Sequence, residues 1–119
     1  MACISGSQYQ SHHRMTTRLC DFIIFWSFSE RDILAPVELK GGRVKATTCL
    51  EQLQNGAGLA HTLLDATYQK IRFVPLIVHR GGFSANDIRI LRQRRVSFRG
   101  KRRLAGLVKS GTHLASAVA

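Results

Sequence analysis

The stretch from Asp21 to Lys40 constrains the fold of this chain more than any other. Apolar, β-branched and aromatic residues fill Phe22 to Phe28 and Ile33 to Leu39, with the polar run Ser29, Glu30, Arg31 and Asp32 between them. That composition predicts two strands joined by a tight turn, a β-hairpin. Pairing Phe28 with Ile33 across the turn sets Ile23 opposite Glu38 and Asp21 opposite Lys40. Strand alternation then sorts the side chains. Phe22, Ile24, Trp26 and Phe28 share a face with Ile33, Ala35, Val37 and Leu39, a wholly apolar surface expected to be the core face. Asp21, Glu38 and Lys40 gather on the other face, at the open end of the hairpin. The register that best buries the apolar residues therefore also assembles two carboxylates and an ammonium.

Two readings compete for that cluster. One is a cross-strand ion pair on a solvated sheet edge. The other is a site for a divalent cation, which prefers hard oxygen ligands. Asp32 is a second candidate for the upstream acid, but its place in the turn sets it far from Glu38, so Asp21 is preferred.

The pattern of Asp21 followed by Glu38-Leu39-Lys40-Gly41 resembles the PD-(D/E)xK nuclease superfamily, which includes restriction endonucleases and Holliday-junction resolvases. The resemblance extends over residues 20 to 110, although only the acid–acid–lysine set is specific. It implies an α/β fold, a restriction-endonuclease-like mixed β-sheet with flanking helices. It also implies that Mg²⁺ or Mn²⁺ is held by the carboxylates of Asp21 and Glu38 and the carbonyl of Leu39. Lys40 would be the catalytic lysine that orients or activates the attacking water. Gln52, on the helix that follows, matches a position from which superfamily members reach the active site, and Glu51 is a weaker match. Such members also carry a helix ahead of the hairpin, often with a Glu. Residues 1 to 20 contain no acid at all, which departs from that pattern.

Charge bears on the partner. Eighteen Lys and Arg face seven Asp and Glu, a formal net charge of +11, so a polyanion is the expected partner. The excess is concentrated in Arg89, Arg92, Arg94, Arg95, Arg99, Lys101, Arg102 and Arg103, with no acid after Asp87. Charges of one sign this dense repel unless an anion lies among them, which points to phosphate contacts, with Lys45 as a further one. DNA is the expected substrate and RNA the less favoured one. Membrane is excluded as a spanning environment because no apolar run is long enough. Cys3, Cys20 and Cys49 form no metal-binding or disulfide pattern, and no secretory leader precedes them, so a reducing cytoplasm is expected.

At 119 residues the chain has room for one domain. Residues 1–17, polar and without periodicity, are expected to be poorly ordered, 18–110 to form the nuclease-like domain, and 111–119 to be a flexible tail. Within the domain, Thr47 or Thr48 is expected to cap a helix from about Cys49 to Tyr68, and Ile71 to His79 to form a buried strand in spite of Pro75. Ser84 is expected to cap a second helix, followed by two short strands that turn at Gly100 with Leu104 and Leu107 inward. The sequence thus supports metal-dependent hydrolysis of DNA, or alternatively a catalytically inactive nucleic-acid-binding protein on the same scaffold. A homodimer would suit cleavage of both strands of a duplex.

Overall fold

The computed structural model of the protein describes residues 1–28, 31–65 and 70–111. Its elements run β1 (Ala2–Ser5), α1 (Gly6–His12), β2 (Phe22–Phe28), β3 (Arg31–Lys40), α2 (Ala46–Leu63), β4 (Arg72–Phe73), β5 (Leu76–His79), α3 (Ala85–Gln93), β6 (Arg95–Phe98), β7 (Lys101–Leu104) and β8 (Gly106–Lys109). The main sheet has the order β1-β2-β3-β5-β8, with β4 also against β3. β1, β2 and β3 are antiparallel, whereas β3, β5 and β8 run parallel. The architecture is therefore α/β with a mixed sheet, and no helix among the described residues is long and apolar enough to cross a membrane.

The hairpin forms, but two residues out of the expected register. Phe28 pairs with Arg31 and Ile23 with Pro36, because Arg31 and Asp32 extend β3 where the sequence suggested turn. A shift of two preserves parity, so the division of side chains between faces is unchanged. The assignment of the core is not. Ile24, Ile33, Ala35, Val37, Leu76 and Val108 do form a buried cluster on the expected face. The larger core lies on the opposite face, where Ile23, Leu34 and Ile77 meet Cys49, Leu53, Ala57 and Ala60 of α2 and Leu91 of α3. That face is apolar too except at its ends, and α2 covers it.

Helix α2 sits close to the sheet because Gly56 has no side chain: a Cβ there would lie 2.4 Å from the Cys20 Sγ. The cap expected from Thr47 or Thr48 is absent, since the helix already begins at Ala46 with Lys45 as a cap residue whose side chain makes no bond. The Asp87 carboxylate, near the start of α3, accepts the Ala46 N–H instead at 3.1 Å. The helix ends at Leu63, short of Tyr68, which lies outside the described residues. Ser84 caps α3 as expected, accepting the Asp87 N–H.

Three further differences have local causes. Residues 1–17, expected to lack structure, supply β1, paired with β2, and α1, whose N-cap is Ser5. The segment Ile71 to His79 is two strands, not one, broken at Val74-Pro75. By continuation of the register, Pro36 of β3 lies beside that break, and the ladder is interrupted there because neither imide has an N–H to donate. β6 and β7 turn at Arg99-Gly100 and bury Val96 and Phe98, but Leu104 and Leu107 are exposed, Leu107 on β8, a strand the sequence did not reveal.

Candidate active site

Continuing the β2–β3 register one step beyond Phe22 and Val37 brings Asp21 beside Glu38. Each holds the other's strand. The Asp21 N–H donates to Glu38 Oε1 at 3.2 Å, and the Leu39 N–H donates to Asp21 Oδ2 at 2.7 Å. Both carboxylates are thereby aimed by backbone groups of the opposite strand, which leaves little rotamer freedom. Lys40 completes the cluster, with Nζ 3.2 Å from Glu38 Oε2. The three residues expected to converge do so.

Glu38 is only 1% exposed. Its Oε2 has an ion-pair partner at the right distance but accepts no bond of hydrogen-bonding geometry. Burial, followed by the hydrogen bond and negative charge of Asp21, pushes its carboxyl up to about 7, and Lys40 opposes that rise. The site thus strains to hold a second negative charge, which is what an added cation relieves. Gln52 is buried on α2 and reaches the segment just ahead of Asp21, its Nε2 3.5 Å from the Leu19 carbonyl, while its Oε1 has no hydrogen-bond partner. Glu51 is exposed.

Two adjacent carboxylates, one with a buried oxygen that accepts no hydrogen bond, suit a hard divalent cation such as Mg²⁺ or Mn²⁺. No group of three or more His, Cys, Asp or Glu placed to hold a metal occurs among the described residues, so a third protein oxygen would have to come from a carbonyl such as that of Leu39. Burial raises the nearby thiols of Cys20 and Cys49, to about 12 and about 11, and keeps them protonated. Asp32 lies at the other end of the hairpin, bonded to Ser27 Oγ at 2.7 Å.

Comparison of the chain with models of protein families, with curated proteins and with solved structures finds no match to any of them.

The basic residues divide into two groups. Lys45, Arg89, Arg92, Arg94, Arg95, Arg102 and Arg103 are exposed, Arg89 donating to Asn86 Oδ1 and Arg103 to the Arg102 carbonyl. Arg99 and Lys101 are engaged within the fold. The Arg99 guanidinium donates to the carbonyls of His61, Leu64 and Asp65 and to His61 Nδ1, at 2.8 to 3.0 Å, closing the C-terminal end of α2. Lys101 Nζ donates to the Ile71 carbonyl. These two are hydrogen-bonded to carbonyls of the fold where phosphate contacts were expected, and the orphaned carbonyls at the end of α2 attract the Arg99 guanidinium as a phosphate would.

Two residues that the sequence did not single out stand beside the cluster. His79 of β5 is the neighbour of Lys40, and Lys109 of β8 is the neighbour of His79. The only sequence signal for them is position, since both end parallel strands.

Proposed function

We propose that the protein is a Mg²⁺- or Mn²⁺-dependent nuclease acting on DNA, with a restriction-endonuclease-like arrangement of its sheet and flanking helices. The observation that carries this reading is the mutual anchoring of Asp21 and Glu38 next to Lys40, with a buried carboxylate oxygen that accepts no hydrogen bond. Asp21, Glu38 and the Leu39 carbonyl would hold the cation. When bound, such a cation polarises a phosphoryl oxygen and makes a water molecule acidic enough to attack phosphorus. Lys40 orients that water through its ammonium and offsets the charge that builds on the phosphoryl oxygens. Gln52 offers its buried amide oxygen to a water at the same end of the hairpin. The exposed arginines of α3, β6 and β7 hold the polynucleotide backbone.

A second reading, a nucleic-acid-binding protein without catalysis, is favoured by one observation: α1 precedes the hairpin but has no acidic residue. Incubation with plasmid, linear and branched DNA in Mg²⁺, Mn²⁺ or EDTA separates the two. Cleavage that requires the metal and is lost in Glu38→Gln and Lys40→Ala is the expected result. Salt-sensitive binding with no cleavage under any condition would replace the enzyme by the binding module.

A further inference from the structure

We infer that the substrate strand runs across the carboxyl ends of β3, β5 and β8, its phosphates held by a row made of Lys40, His79 and Lys109. This deepens the nuclease reading and rests on it for the role of Lys40. The row follows from register. Lys40 pairs with His79, and His79 with Lys109, in parallel ladders, so all three side chains leave the same face of the sheet. It is the face of Glu38 and Ile77, two residues back along β3 and β5.

The chemistry of each member suits a phosphate. His79 Nδ1 accepts the Gly81 N–H at 2.9 Å, which leaves Nε2 to carry the proton as a donor. Nε2 makes no hydrogen bond among the described residues, and the Phe83 ring, 4.6 Å away between centroids, fixes the imidazole edge-on. Lys109 is exposed. The loops that leave the strand ends add Arg43, Lys45 and Arg80, and residues 39–45 and 78–84 contain no acid.

A groove of about 210 Å³ at the same strand ends, lined by Leu39, Lys40, Gly41, Val78, Arg80 and Ser110, opens on the side of Leu39 and Val78, the face opposite the row, and only Lys40 belongs to both. The loops beneath are drawn together: the Val44 N–H donates to the Gly82 carbonyl at 3.2 Å, and Gly82, at φ +84°, lies so near Gly42 that a Cβ would meet its carbonyl oxygen at 3.2 Å. In open α/β sheets the crevice beyond the carboxyl ends of the strands is the general place for ligands. Two strand spacings put Lys40 and Lys109 about 10 Å apart, the length of about three stacked nucleotide steps.

The test measures binding of a fluorescent single-stranded DNA to the full chain with Ca²⁺ in place of Mg²⁺, over a series of salt concentrations, beside cleavage in Mg²⁺. Lys109→Ala is expected to weaken binding severalfold and to reduce the slope of log affinity against log salt by about 0.7. His79→Ala is expected to weaken binding, and His79→Gln, which keeps a donor, to recover part of the loss. Thermal melts of each variant establish that the fold is retained. Wild-type affinity and slope in both Lys109→Ala and His79→Ala would overturn the row, while cleavage by the wild type would leave the nuclease reading intact. A reduced slope in a protein that cuts nothing would keep the row and remove the nuclease. A wild type that binds no DNA would overturn both.

Discussion

Glu38 is the residue at which folding and proposed function oppose each other. Its carboxyl titrates near 7 in the folded chain against an ordinary 4.5, chiefly through burial. Between those values the folded protein holds a proton that the unfolded chain has released. The associated stability is complete below the unfolded value and is lost as pH rises through 7, an effect of about 3 kcal/mol. Melting temperature should therefore fall as pH is raised through this window, and Glu38→Gln should flatten the dependence, as read by circular dichroism melts. Mg²⁺ added at the alkaline end should restore stability to the wild type and not to the variant. The acids themselves were legible in the sequence, because parity and an apolar ribbon fix which residues share a face. Their exact partners were not, because Arg31 and Asp32 are as acceptable in a strand end as in a turn.

The elements around the site are held by partners far off in the chain. Helix α2 takes its N-terminal cap from Asp87 and its C-terminal cap from Arg99, and Gln54 bonds both the N–H and the carbonyl of Ser97 at 2.8 and 2.9 Å, as a neighbouring strand would. The bonds from Ser84 and from Ala46 hold the Asp87 carboxyl below its ordinary value, so it stays charged as a cap must. Arg99→Ala should lower stability by about 1–3 kcal/mol in urea titrations, since it leaves several carbonyls without donors. The same variant should leave the salt dependence of DNA binding nearly unchanged, whereas a solvent-facing arginine would alter it. None of this could be seen in the sequence, where Thr47 and Thr48 offered a local cap and Arg99 was one arginine among many. Caps supplied from a distance leave no local pattern to find.

At the scale of the whole molecule, +11 on a chain of this length is self-repulsive and attractive to polyanions in equal measure. Replacing Arg94, Arg95, Arg102 and Arg103 together by Gln should raise the melting temperature at low salt and flatten the salt dependence of DNA affinity. Both readouts are needed, because loss of affinity alone would also follow from misfolding. The order of strands, helices and charge was legible because long apolar runs and dense arginines leave strong signals. β1 and β8 were not, being edge strands of four residues each without a clean alternation of burial.

The prolines that meet at the break have a consequence for the end of the sheet where the acids sit. Pro36 in β3 and Pro75 just ahead of β5 have no N–H to give, so the ladder is interrupted beside them. It resumes at Val37 and Leu76, and the parallel pairing that sets His79 next to Lys40 runs only from there. The stretch that carries Glu38 and Lys40 is thus a short separate run of pairing, fastened on its own side of the gap.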